Sequence, residues 1–205
     1  MRYFLRIMFV FIMTYPLINC GYLLRPSLNA ELKSVPQGGY TVDKAHTTIL
    51  FKVNHMGFST FVGRFNDFEA SLDFDSEHIE RSSLHAIVDM ASIDVNNQSF
   101  EDSLKGRFWF DVERYPQAIF TTNSASVTDS GKLTFLGDLT FLGETLPFSI
   151  DVIFNGSATN LLTQKYTLGF DASGILKRSD YGLDQYIPAV GDDITLEIYA
   201  EFQRN

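Results

Sequence analysis

The residues whose types invite chemistry in this 205-residue chain are its four histidines, at positions 46, 55, 78 and 85, and the carboxylates near them. A metal site or an acid–base pair needs such groups on one face. The pairs 46/55 and 78/85 are separated by nine and seven residues, and an odd separation along one strand sends two side chains to opposite faces, so neither pair makes a local two-histidine metal site. Asp43, His46 and Ser59 supply the types of a nucleophilic triad, but Gly57-Phe58-Ser59-Thr60-Phe61 lacks the second glycine of a nucleophile elbow. No phosphate loop, dinucleotide fingerprint, CxxC or HExxH motif occurs. Two readings of the histidines stay open: hydrogen-bonded residues at strand ends, or an uncharacterised enzyme using Asp43, His46 and His55 at one mouth. Arg178 and Asp180 read as an ion pair or loop anchor. No catalytic residue, metal ligand or cofactor is assigned, and the chain is read as a non-enzyme.

The elements that must position any site come next. A net charge of −9 and a pI near 4.8 argue against a nucleic-acid partner, which calls for a basic surface. One cysteine excludes an internal disulfide framework, so the fold rests on its core. Arg2 and Arg6 followed by the short apolar run Ile7–Met13 and Pro16 predict an export signal over residues 1–19 rather than a membrane span. Leu17-Ile18-Asn19-Cys20-Gly21 resembles a lipobox, which would make Cys20 a lipid-attachment point, with Asn19 where a small residue is usual. Residues 20–39, with Pro26, Pro36 and Gly38-Gly39, read as a tether, and the domain is expected over 40–205.

From Tyr40 onward the period is two. Ile194, Leu196, Ile198, Ala200 and Phe202 form one row, and Leu146–Phe154, Tyr166–Ala172, Ile49–His55, Phe68–Phe74, Leu84–Met90 and Ala118–Thr122 alternate in the same way. Turn signals at Asn96-Asn97, Pro116, Asp129-Ser130-Gly131, Gly143, Asn155-Gly156, Gly174 and Gly191-Asp192-Asp193 separate the runs. About eight such strands predict an all-β antiparallel barrel or sandwich. Ser99 to Asp102 has capping-box spacing, which predicts one short helix over about residues 100–106. The 19 phenylalanines suit either a solid core or the wall of an apolar cavity.

Several segments, taken in order, resemble the YceI family of exported, lipocalin-like proteins. They are Tyr40-Thr41-Val42-Asp43-Lys44-Ala45-His46, Phe51-Lys52-Val53-Asn54-His55-Met56-Gly57, Val62-Gly63-Arg64-Phe65, Tyr115-Pro116-Gln117-Ala118-Ile119-Phe120, Phe135-Leu136-Gly137-Asp138-Leu139-Thr140, Lys177-Arg178-Ser179-Asp180-Tyr181-Gly182 and Val190-Gly191-Asp192-Asp193-Ile194. The resemblance implies an eight-stranded antiparallel lipocalin-like barrel with an elongated apolar cavity, binding a polyisoprenoid or similar long-chain amphiphile in the bacterial periplasm. The lipid is its expected partner, the membrane enters only through an anchor at Cys20, and a homodimer is allowed; a structural or interaction module displayed on a lipid anchor at Cys20 is the other alternative to the enzyme reading. Face assignment nominates Phe51, Val53, Phe68, Leu72, Phe120, Leu139, Phe148, Phe170 and Leu196 as wall residues. Phe108 and Trp109 are nominated as lip residues, and His55 as a polar contact. Two departures put the headgroup preference in question: Phe100-Glu101-Asp102-Ser103-Leu104 lacks the basic residue and histidine usual there, and Gly143-Glu144-Thr145-Leu146-Pro147 lacks a lysine.

Overall fold

The computed structural model describes residues 25–128 and 132–205. The expected export signal, Cys20 and the turn at residues 129–131 lie outside the described residues. Eleven strands follow in chain order: β1 (Gly38–Val42), β2 (Thr48–His55), β3 (Ser59–Phe65), β4 (Phe68–Phe74), β5 (Ser83–Asp89), β6 (Ile93–Asp94), β7 (Gln117–Val127), β8 (Leu133–Phe141), β9 (Glu144–Thr159), β10 (Tyr166–Lys177) and β11 (Val190–Arg204).

Three pairs of short strands act as single staves. β1 and β2 both run antiparallel to β11, with Val42 opposite Phe202 and Ile49 opposite Ile198. β3 and β4 continue one another in the same way: β3 pairs with β2 and β4 with β1. β5 lies beside β4, and β6 beside β3. With β7 to β10 joined by antiparallel pairing, the sheet closes on itself as an eight-stranded barrel. Register shifts at Thr122/Ser124, Gly169/Phe170 and Val190/Ile194 are bulges, the local twist that lets a sheet curve shut.

The period-two rows face inward as expected, since β8 buries Leu133, Phe135, Gly137, Leu139 and Phe141 while the residues between them stay more exposed. Met90 departs from its row: it is buried in the 3-10 turn Met90–Ser92, where the Asp89 carboxylate accepts the Ala91 N–H at 2.8 Å. The helix α1 (Gln98–Lys105) is present, but its cap is Asn97 rather than Ser99. Asn97 keeps an extended backbone and its side chain accepts the Phe100 N–H, while Glu101 reaches back to the N–H groups of Val95 and Asn97.

Part of the stretch read as a tether is folded against the barrel. Asn29 and Ser157 exchange backbone hydrogen bonds of 2.9 and 2.8 Å, Val35 is buried, and the Tyr40 hydroxyl donates to the Pro36 carbonyl. Pairing Asn29 and burying Val35 offset the entropy of ordering this segment. Residues 29–36 therefore cover the end of the barrel where Tyr40, Phe74, Leu133 and Leu168 are enclosed. Among the described residues, no helix is long and apolar enough to cross a membrane.

Candidate ligand-binding site

The barrel interior is apolar by sequence and remains so by packing. Its rows carry Phe, Leu, Ile, Val, Ala and Gly, and two polar members are internally bonded. Thr122 Oγ1 donates to the Leu84 carbonyl and accepts the Leu84 N–H, and the Ser157 hydroxyl bonds the Tyr166 hydroxyl at 2.8 Å. No charge points at the axis from the β11 row between Ile194 and Phe202.

Three phenylalanine rings lie across glycines of the facing rows. An added Cβ on Gly63 would meet Phe51 Cζ at 2.3 Å, one on Gly174 would meet Phe148 Cζ at 2.5 Å, and one on Gly137 would meet Phe120 Cε2 at 2.8 Å. Each ring is thus flat against the wall, over a position with no side chain, instead of projecting to the axis. Inward-facing Phe51, Ala86, Ala118, Ala172, Leu176, Leu196 and Ile198 stay half-buried although strands surround them. Accessible area on residues of the inward rows is what an incompletely filled interior leaves.

Burial falls along β11 toward its N-terminal end, where β2 and β8 nevertheless bury Val53 and Phe141. Along β11, Phe202 and Ala200 are buried, whereas Ile198, Leu196 and Ile194 are half-buried. The end of the barrel at the β2–β3 turn carries an aromatic chain: Phe51 lies 6.5 Å from Phe61, Phe61 6.0 Å from Phe100, Phe100 6.4 Å from Trp109, and Trp109 stacks on Tyr186 at 6.1 Å. Arg178 holds the loop behind this rim. Its guanidinium, 2% exposed, donates to the carbonyls of Leu183, Gln185, Val190 and Gly191 at 2.7–3.1 Å. Burial pulls its pKa down, opposed by the charges of Asp192 and Asp184. Arg178 is therefore a loop anchor, and it anchors to carbonyls. Asp180 is exposed, and it is Asp192 that caps the adjacent turn through Ser179.

The nominated residues fall into distinct places. Val53, Phe68, Leu72, Phe120, Leu139, Phe148 and Phe170 are buried in the wall, while Phe51 and Leu196 border the interior space. Trp109 sits at the rim, Phe108 is 84% exposed outside it, and His55 ends β2 at the same rim. The grouping of Asp43, His46 and His55 at one mouth is corrected. β2 separates His55 from the other two by its eight-residue length, about 23 Å at strand rise. Ser59 starts β3 beside His55, equally far from them. His78 and His85 have separate partners as well, Asp75 at 3.6 Å and Thr121 at 3.1 Å.

Asp43 and His46 stand on the outer wall with Glu201, and each of the three offers one ligand atom within 4.8 Å of the others. Their donor set suits a divalent transition metal. The Asp43 carboxylate, however, already accepts from Ala45 N–H, His46 Nδ1 and Gln203 Nε2, which ties the break between β1 and β2 to β11. A second outer feature, an open cleft of about 290 Å³ beside this break, is lined by Thr41, Lys44, Glu69, Ser71 and His85 together with the apolar Val42, Ala70 and Ile87.

Comparison with known proteins decides the family, because the model of the YceI-like domain matches residues 40–202. The chain belongs to the YceI family. A UPF0312 protein of Yersinia pestis (strain Pestoides F) is 27% identical over 164 residues, covering 79% of this chain and 84% of that protein. The YCEI protein of Campylobacter jejuni is 31% identical, with a TM-score of 0.65 over 81% of this YceI chain and 98% of that one. A polyisoprenoid binding domain from Saccharophagus degradans, 10% identical, shares the fold with a TM-score of 0.63 over 81% and 98% of the two chains. The nominated wall residues leave out the glycines under the rings and also Ala86, Ala118 and Ala172, which period two places on the inward rows. Their signal in this YceI sequence is Gly or Ala on an inward row, opposite Phe at Gly63, Ala86 and Gly137.

Proposed function

We propose that the protein is a non-enzymatic carrier that holds a polyisoprenoid or similar long-chain amphiphile in its barrel, in the bacterial periplasm. The observation carrying this is the half-buried, uncharged inward surface beneath rings held flat by Gly63 and Gly174. Each methylene moved from water into such a space is worth about 0.8 kcal/mol, so about ten of them supply roughly 8 kcal/mol before chain ordering is subtracted. No charged contact is needed for that. The headgroup then belongs at the aromatic rim, where His55 and Trp109 offer polar edges.

The likeness to a polyisoprenoid binding domain and the membership of the YceI family support the ligand class. The basic, short-apolar start of the sequence supports export, with Cys20 as the proposed anchor point. The separation of Asp43 and His46 from His55 supports a binding role over an enzyme at the mouth. Organic extraction of the purified protein followed by mass spectrometry tests the reading. A stoichiometric long-chain lipid is expected, and protein that neither carries nor takes up any such lipid overturns it.

A further inference from the structure

Exposed apolar side chains converge on the aromatic rim from three separate segments. The β2–β3 hairpin presents Met56 and Phe58, 55% and 85% exposed, on a turn in which Met56 and Gly57 both take positive φ. The loop after α1 presents Phe108, and the loop before β11 presents Tyr186 at 70% exposure. Contacts hold these tips together: Met56 N–H donates to the Ala189 carbonyl at 2.7 Å, Val190 N–H to the Tyr186 carbonyl, and Trp109 stacks on Tyr186. Phenylalanines left this open in water are unfavourable unless something covers them.

We propose that this rim is a docking surface for a neutral lipid bilayer, through which the carried chain enters and leaves; the proposal rests on the lipid-carrier reading above. Two observations choose the occupant. The patch is continuous with the barrel interior through Trp109, Phe100 and Phe61, so a lipid chain passing from a bilayer to the interior need not cross water. The nearby loops carry Asp111, Asp184, Asp192 and Asp193 against Lys105 and Arg107, and the chain's net charge is −9, a balance that disfavours an anionic surface and leaves the apolar face to do the binding.

Trp109 is the only tryptophan in the sequence, which makes the rim its own reporter. The full chain is mixed with phosphatidylcholine vesicles carrying brominated acyl chains, and tryptophan quenching is followed. Quenching is expected while vesicles are present, and the part of it lost when the protein is separated from them reports docking. Quenching that persists after separation reports lipid held inside the barrel, so the docking and carrier readings fail separately. Phe58→Ser with Phe108→Ser should weaken the vesicle-dependent quenching about tenfold or more, since two large apolar side chains no longer leave water for the bilayer. Ile153→Ser with Ile175→Ser, exposed on the outer wall, should leave it unchanged. Unquenched Trp109 on a chain that still floats with vesicles overturns the proposal, because the attachment is then elsewhere. So does parental quenching in the double variant. So does conversion of a dimer to a monomer with vesicle binding intact, which would make a second copy the cover.

Discussion

Gly63→Ala tests whether the wall glycines keep the interior open. The added Cβ would lie 2.3 Å from Phe51 Cζ, 2.5 Å from Cε1 and 2.8 Å from Val95 Cγ1. Against a carbon–carbon contact of about 3.5 Å, the ring must yield by roughly 1.2 Å. It cannot move deeper into the wall, where its cross-strand partner Gly63 sits, so it swings toward the axis. Overpacking of this kind costs about 1–3 kcal/mol. Alanine's advantage over glycine in a strand returns about 0.5–1 kcal/mol of that.

The net loss, up to about 2.5 kcal/mol, should lower Tm by up to about 10 °C at roughly 2–4 °C per kcal/mol for a chain of this size. The variant should also bind less long-chain lipid by extraction or by displacement of a fluorescent fatty acid. Adding Phe51→Leu removes the ring, so alanine at 63 should then cost about 1 kcal/mol less than it does alone, with Val95 retaining a part of the clash. The reasoning is refuted if Gly63→Ala melts at or above the parent and binds the same amount of lipid. It is equally refuted if the effects of the two substitutions simply add.

Gly137→Ala should be far worse than Gly63→Ala, because its Cβ would lie 2.2 Å from the Thr121 carbonyl oxygen, a backbone atom that no rotamer change can move; little folded protein is expected by circular dichroism. Arg178→Met strips the donors from four carbonyls around the 178–191 loop and should cost about 3 kcal/mol or more, read as a lower urea midpoint. The His46 pKa is raised by its hydrogen bond to Asp43, then by the charges of Asp43 and Glu201, so its contribution to stability is full below 6.5 and lost as pH rises through the folded value. In Asp43→Asn, the His46 midpoint followed by NMR should fall back toward 6.5. Asp94 is held at about 2 by the Asn96 N–H, Arg64 and the Asn66 amide; its contribution is present above 3.8 and lost as pH falls toward 2. Asp94→Asn should flatten that part of the acid-unfolding curve.

The strand rows were legible because period two is written directly into Ile194–Phe202 and its counterparts, and one buried face fixes register. The helix was legible as an element but not at its cap, since Asn97 and Ser99 are equally good capping types and only the backbone decides between them. The docking of residues 29–36 had weaker signals, because one buried Val35 and one bridge at Asn29 leave no periodic trace. The supposed cluster of Asp43, His46 and His55 failed for a simple geometric reason. Nine residues are close in sequence, but most of them form one extended strand, the arrangement that separates its ends furthest.

The phenylalanine surplus admits a more specific account than either a solid core or a lined cavity. A ring attached to a closed eight-stranded barrel would ordinarily reach the axis, where such a barrel is just wide enough to be filled by side chains. Phe51, Phe120 and Phe148 instead turn onto Gly63, Gly137 and Gly174, so the same residues seal the wall and vacate the middle. Phe74 and Phe202 pack at the covered end, beside Tyr40 and Leu168, and fill the barrel there. Phe51 and Phe148 stand directly opposite Gly63 and Gly137, and the Phe120 ring reaches Gly137 on the diagonal, whereas Phe202 packs between Val42 and Leu168. A long chain held by such a barrel would stop where glycine partners give way to Tyr40 and Leu168. Tyr40→Ala should then extend the bound ligand toward the covered end, and native mass spectrometry with a series of alkyl-chain lengths should show the preferred length increase; an unchanged preference would place the stop elsewhere.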